Sequence, residues 1–543
     1  MSDTLGMDPS KSKLSFNAIA TYAIAALVVC LPIWYVDNFY SADGPPHLHS
    51  ASLMLDLAAG QTPANGFYSF NSVLVPNSLG HWILAAFLTI FSAGTASKLM
   101  ATGLFCLFVA GVAWLRDAIS GSAGLWLVIL LAGAVGLNRL WLVGLYNFLL
   151  GVIIVLFAAG LLVRWEGRLT VKRAGILAVA FALSYCSHLI SFGVLGLWGG
   201  LYILTAARKE RVRSLALFAL AAIPILPLFI WYQLMGAREG AMSPVWYLLN
   251  EPSLANLVLL ARAVDPIFII SRRYIPFLEV ESPAAALASP IIWIAVACCI
   301  LAGVAWFRGK IGPLSKSMVP FMIPTAVLFL LVLIAPDELG SSEGSVIRPR
   351  FFLIALAFLI AVLPIPSSKS ATSLAAAIVV AVLGYQTLGL WEYSLRYDRE
   401  ISEFIPVTAQ LADGERFASV MVFDEQLRFH PSPTQRVASL AGIEKDVVVW
   451  DTYEAGYYFF SVIAANPEDR EAIRRYSNVN VVIPTPSLEP GIKHFGEQLS
   501  ANRDKIDVLM VRGRNAQIDA LVQEWFGSVP FYETENIRLF RKK

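Results

Sequence analysis

The sequence predicts a polytopic α-helical membrane protein of about eleven transmembrane helices followed by an α/β domain at its C-terminal end. Three observations carry this reading. Hydrophobic residues make up 57% of the chain and charged residues 15%, with a mean hydropathy of +0.64; soluble domains have about 45–50% and 25%. Apolar runs near the length that hydrocarbon demands recur from Tyr22 to Trp391 and then stop. Lys and Arg gather in loops that a single topology places on one side of the membrane.

The first apolar stretch, Ala18 to Val36, follows Lys11 and Lys13 and lacks a small-residue cleavage site. It reads as a retained helix with its amino end in the cytoplasm. Residues 37–97 contain acids and no Lys or Arg, the mark of a translocated first outer loop. Within it, Pro45 to Ala59 and Leu79 to Phe91 read as helices lying along the interface. If Leu79 to Phe91 crossed the membrane, the basic stretch from Arg164 to Arg173 would fall outside, so the flat placement is taken. With it, Arg116, the 164–173 stretch, Arg208 to Arg213, Arg308 with Lys310, and Lys369 all fall in the cytoplasm. The spans lie near 15–36, 98–115, 122–138, 144–163, 172–187, 189–206, 214–234, 289–307, 317–335, 350–366 and 370–391. The module thus covers 1–391, and the C-terminal domain, 392–543, is extracytoplasmic.

From residue 392 the pattern changes to short β-rich runs alternating with polar helices. Candidate strands are Phe417 to Phe423, Val447 to Trp450, Val479 to Ile483, Val508 to Val511 and Ile537 to Phe540, with a helix over Ala516 to Trp525. A mixed sheet is the natural product. The domain carries no phosphate loop, no G-x-S-x-G elbow and no metal motif. The net charge of +2 and the lack of a basic tract exclude nucleic acid as a partner. All five cysteines lie in apolar segments and read as packing residues.

Polar residues gather most densely at Asp37-Asn38-Phe39-Tyr40-Ser41-Ala42-Asp43-Gly44-Pro45-Pro46-His47-Leu48-His49. Local chemistry alone makes Asp43 a helix cap, because Pro suits the first helical turn just after it. His47 and His49, two apart, point to different faces of a helix and make a poor metal pair. His188 sits at the turn of an apolar hairpin, where an ionisable residue is costly unless it faces a cavity or finds a partner; it is placed as substrate-lining. Arg348 and Arg350 start a span on the outer face, where they either anchor the chain or meet an anionic group. Arg272 and Arg273 are second candidates in an outer loop.

A first span, a long outer loop with an acid before an interfacial helix, a second such helix and a terminal α/β domain together resemble the GT-C glycosyltransferases. These include protein O-mannosyltransferases, lipid A aminoarabinose transferases and oligosaccharyltransferase catalytic subunits. Asp43-Gly44-Pro45-Pro46-His47-Leu48 resembles a D-x-P-x-H-L pattern in poorly characterised bacterial members, and Leu145-Tyr146-Asn147-Phe148-Leu149-Leu150-Gly151 resembles a further block in them. The resemblance implies that Asp43 is the catalytic acid of the first loop, with His47 and Asn147 near substrate. Many relatives carry a second acid near the start of the fourth span, but Asn138 to Asn147 contains none. A divalent cation would need Asp43 helped by Asp37, Asp337, Glu338 or Glu343. The expectation is therefore no metal ligand and no cofactor.

The implied donor is a sugar on a polyprenyl phosphate and the implied reaction inverting transfer at the outer face of the cytoplasmic membrane, to a lipid, glycan or protein acceptor. Asp43 would take the acceptor proton, and Arg348 and Arg350, with Arg272 and Arg273 behind them, would stabilise the departing phosphate. The competing classes are a lipid-linked sugar flippase or other transporter, and a non-catalytic envelope scaffold.

Overall fold

A computed structural model describes residues 16–207, 209–239, 244–245, 290–307, 319–339, 346–422, 432–482 and 488–542. Arg272 and Arg273 lie outside the described residues, as do Arg208, Arg308, Lys310 and Glu343. The chain is a polytopic α-helical membrane protein with a C-terminal α/β sheet domain. Among the described residues, seven helices are long and apolar enough to cross a membrane: Phe16–Tyr35, Ala93–Ser120, Tyr146–Arg164, Leu189–Ala206, Arg211–Met235, Pro290–Phe307 and Lys369–Thr408. Leu125–Gly136, Val171–Ser187, Val319–Ile334 and Ile347–Val362 are shorter helices. Seven of the predicted spans coincide with helices long enough to cross, and the other four overlap the shorter helices. Leu79–Leu88 has 10 residues, about 15 Å of helix at 1.5 Å per residue, against about 30 Å of hydrocarbon; it is too short to cross.

The chain divides into two compact units, Met1–Pro32 with Ala101–Trp391 and Ile33–Met100 with Glu392–Lys543. In the first, apolar side chains such as Leu27, Val212, Trp306 and Phe307 are exposed, as expected of surfaces that face lipid. Helices pack closely where glycine permits. A Cβ on Gly160 would lie 2.3 Å from the Trp114 indole nitrogen, and that nitrogen donates to the Phe157 carbonyl. Pro224 interrupts the helix after Ala222, because it lacks an N–H and crowds the preceding turn; the chain continues through a 3-10 turn, Ile223–Ile225, into Leu226–Glu239. At one end of Ile347–Val362, buried Arg116 donates to the carbonyls of Ala361 and Leu363, satisfying groups a helix end leaves open. Arg164 binds Asp117 at 2.7 Å and stacks over Trp114.

The second unit holds a six-stranded mixed sheet. Arg416–Val422 runs parallel to Val448–Val449, Val481–Val482 and Val508–Arg512, with Phe417 opposite Val449 and Val508. Ile537–Arg541 pairs antiparallel with Val508–Arg512 and with Tyr532–Glu533. The five predicted strands are present, and the helix Ala516–Phe526 caps on Asn515, whose side chain accepts from Gln517 and Ile518. Lys369–Thr408 continues 17 residues past Trp391, where the sequence places the end of the last span; an Arg396–Glu400 pair one turn apart supports this polar extension.

The long first loop, residues 37–97, is built into this unit. Tyr68–Phe70 pairs antiparallel with Val462–Ala464. Leu53, Ala64 and Tyr68 share one core with Ala418, Val420, Trp450, Tyr476, Phe495 and Val511. Asn38 is held by Asp398, and the Tyr393 hydroxyl donates to the Tyr40 carbonyl.

Candidate functional site

Two clusters of polar side chains stand out, one in each unit. The first is built on the helix Gly44–Ala58, whose first eight residues are all buried. Asp43 occupies the N-cap position, but its carboxylate makes no cap hydrogen bond; its carbonyl accepts from the His47 N–H. Prolines at the start of the helix lack N–H groups, which leaves a cap less to do there. The Asp43 carboxylate instead acts on Tyr453. Burial, and then the charges of Asp43 and Glu454, push that phenol well above its ordinary pKa. Arg436 lies over the Tyr453 ring, 5.2 Å from its centre.

His47 and His49 diverge, as their spacing requires. His47 Nδ1 lies 2.5 Å from Glu454 Oε1 and 3.1 Å from Nε2 of His81, on the helix Leu79–Leu88. His81 Nε2 is 3.1 Å from both Glu454 oxygens, and Ser50 Oγ donates to Oε2. His81 and Glu454 have no exposure and His47 almost none. Burial alone would raise the Glu454 pKa, but His81 and His47 outweigh it and hold the carboxyl well below the usual range.

On the other face, His49 Nδ1 meets Thr452 Oγ1 at 2.6 Å. Thr452 gives its own proton to Ser439, so the histidine is the donor and its Nε2 is bare. Burial lowers the His49 pKa to about 3, which keeps the ring neutral. Nearby Asp451 is fully buried, and burial raises it to about 6 although Ser419, Arg436 and Asn480 pull the other way.

The second cluster lies at the end of Ile347–Val362 opposite Arg116, in the first unit. Arg348 is fully buried; its Nε donates to the Ala335 carbonyl at 2.6 Å and lies 3.5 Å from Asp337, while Nη1 and Nη2 have no partner among the described residues. Val346, just before the helix, is held at φ 60, a strained conformation for a β-branched residue. His188 breaks Val171–Ser187 from Leu189–Ala206 in an extended conformation, and its Nδ1 accepts the Ile190 N–H. Its Nε2 lies 2.6 Å from Arg350 Nη1, and both groups face the Phe148 ring. A neutral imidazole accepts at only one nitrogen, so His188 takes either the Ile190 N–H at Nδ1 or the Arg350 N–H at Nε2.

The structure thus brings His188 and Arg350 together, beside Phe148 and the buried Asn147 of the same helix start. Arg348 lies two residues before Arg350 on the same helix, about half a turn away and so with a different orientation. His47 joins His81 and Glu454, two residues the sequence reading passes over; Tyr453 and Arg436 are further additions. Each had a signal. His81 is the only titratable residue of an apolar helix, and Glu454 lies in the aromatic run Asp451-Thr452-Tyr453-Glu454-Ala455-Gly456-Tyr457-Tyr458-Phe459-Phe460.

No protein-family model matches this chain, and no curated protein matches it. Among solved structures it is similar to ArnT from Cupriavidus metallidurans in the apo state, with 13% identity, 96% of this chain and 97% of that chain covered, and a TM-score of 0.42. It is similar to the arabinofuranosyltransferase AftD from Mycobacteria with 14% identity, 98% of this chain but only 42% of that one, and a TM-score of 0.41. A third is the archaeal oligosaccharyltransferase AglB from Archaeoglobus fulgidus, in complex with an inhibitory peptide and a dolichol-phosphate; identity is 12%, coverage 94% and 71%, and the TM-score 0.34.

Proposed function

We propose that this chain is a membrane glycosyltransferase that takes a sugar from a polyprenyl-phosphate donor at the outer face of the cytoplasmic membrane, with inversion. The observation that carries the reading is the arginine cluster: Arg348 has two buried guanidinium nitrogens with no acceptor among the described residues, and Arg350, on the same helix, lies 2.6 Å from His188 Nε2. Buried donors without acceptors are costly, and a phosphate supplies several acceptor oxygens in one group. In the reaction the acceptor hydroxyl oxygen bonds to the anomeric carbon as the bond from that carbon to the phosphate oxygen breaks. Its proton passes to the Asp43 carboxylate, and the lipid phosphate leaves as an anion stabilised by Arg348 and Arg350. Asn147 and His188 line the donor. Arg272 and Arg273 are further phosphate contacts in this proposal. The acceptor is a lipid, a glycan or a protein.

Purified protein in liposomes is given a radiolabelled polyprenyl-phosphate sugar, and transfer is measured separately from movement across the bilayer. Arg350→Ala should lose ~1.5–3 kcal/mol of donor interaction, or about one to two decades in donor-limited rate, and Arg350→Lys less. Unchanged kinetics in Arg350→Ala would leave that residue a membrane anchor. Donor movement without transfer would replace the enzyme with a flippase. The orientation has its own check: a cysteine at position 60 or 410 should react with an impermeant reagent in intact cells and one at 168 should not.

A further inference from the structure

We propose that His47, His81 and Glu454 bind one Zn2+ ion, which ties the first outer loop to the C-terminal sheet domain. Three ligand atoms converge, His47 Nδ1, His81 Nε2 and a Glu454 oxygen, all within 4.8 Å of one another. Zinc bonded to nitrogen and oxygen at about 2.0–2.1 Å in a tetrahedron places its ligand atoms about 3.3 Å apart. Here the two imidazole nitrogens are 3.1 Å apart and His81 Nε2 is 3.1 Å from the carboxylate. The His47–Glu454 edge, at 2.5 Å, opens by less than an ångström to complete the set.

Chemistry favours the same ion. Two imidazoles and one carboxylate are a borderline donor set that suits zinc, not the all-oxygen set that calcium or magnesium takes. Protons alone fit this triangle poorly. Both ring nitrogens aim at one carboxylate while lying in contact with each other: if both carry hydrogen, two donors collide, and if one does not, its lone pair faces the carboxylate oxygen. A dication satisfies all three lone pairs. Ser50 donates to the second Glu454 oxygen, the outer hydrogen bond that orients a ligating carboxylate. The sequence reading names no metal ligand because it pairs His47 with His49, which faces Thr452 instead; the partner is His81, 34 residues on, with Glu454 another 373 beyond it.

The elements joined define the role. His47 is on Gly44–Ala58, His81 on Leu79–Leu88, and Glu454 on the short turn Tyr453–Gly456. None of the three is solvent-exposed, so the ion is a staple with one coordination position left for a water. This assignment does not depend on the glycosyltransferase reading, and its test uses no sugar.

The full-length protein, purified in detergent through a tag without histidine, is stripped with chelator, reloaded with Zn2+ and desalted, and its metal measured by mass spectrometry. Wild type should retain one zinc per chain and gain thermal stability on reloading. The variants Glu454→Gln and His47→Ala/His81→Ala should retain none, while the exposed-histidine control His494→Ala keeps one. Co2+ in place of zinc should give the visible bands of a low-coordinate site in wild type alone. A folded wild type that holds no zinc after reloading, or zinc retained in the double variant, overturns the proposal; because the first outcome needs no variant, misfolding of the variants cannot rescue it.

Discussion

Tyr68→Phe tests how firmly the long first loop, residues 37–97, is built into the C-terminal sheet. Val448–Val449 is the edge strand of that sheet, and the N–H groups of Val448 and Trp450 bond inward to Glu415 and Phe417. Val449 must therefore turn its N–H outward, to an open edge that proteins normally cover. The Tyr68 hydroxyl covers it, accepting from the Val449 N–H at 2.9 Å while facing the Val449 carbonyl. Tyr68 and Val449 are both buried. Phenylalanine keeps the ring, its edge-on contact with His49 and the core volume, and removes one acceptor. A buried N–H left without a partner costs ~1–3 kcal/mol. In a unit of this size each kcal/mol is worth ~2–4 °C of melting temperature, so the transition should fall by about 2–12 °C. Hydrogen exchange read by mass spectrometry is the sharper assay: the peptide around Val449 should exchange faster, by about 5- to 150-fold, while the strand Ile537–Arg541 is less affected. An unchanged melt with unchanged exchange at Val449 would refute the reasoning and make the hydroxyl incidental.

Gly442→Ala should destabilise the same unit by ~1–3 kcal/mol, because its Cβ would lie 2.2 Å from buried His49 Nε2; thermal melts check this, and a double variant with His49→Ala should recover part of the loss. Asp451 has a folded pKa raised by burial from 3.8 to about 6, so the folded state holds that proton more tightly than the unfolded one. The Asp451 contribution is therefore most favourable below pH ~4 and is lost as pH rises through about 6, a fall of ~3 kcal/mol. Asp451→Asn should flatten this part of the stability profile between pH 4 and 7 in chemical denaturation, and an unaltered slope would place the titration elsewhere.

Most of the helical fold is legible in the sequence because hydrocarbon demands long uncharged runs, and such runs cannot be hidden in a chain with this composition. The strands at 416–422, 508–512 and 537–541 are legible for a related reason: they are short, largely apolar runs bounded by polar turns. What the sequence does not show depends on distant pairing. Tyr68–Phe70 is three residues long and finds Val462–Ala464 nearly four hundred positions away, with no periodicity to announce it. Glu454 looks like one acid among aromatics until two histidines from the first loop are placed against it. The reading of Asp43 as a cap followed correctly from its neighbours, yet the carboxylate makes no such bond, since Pro45 and Pro46 remove the donors it would have met. Lys369–Thr408 outruns its predicted span because hydropathy marks where lipid ends, not where a helix does.

The central claim is that Asp43 removes the acceptor proton in transfer from a polyprenyl-phosphate sugar, and Asp43→Asn measures it most directly. The carboxylate makes no cap hydrogen bond, so the amide removes no helix-end contact while losing the ability to take a proton. In liposomes with radiolabelled donor, the account predicts that Asp43→Asn binds donor as wild type does and transfers sugar about two to four decades more slowly. Transfer at the wild-type rate by a folded Asp43→Asn protein would contradict it.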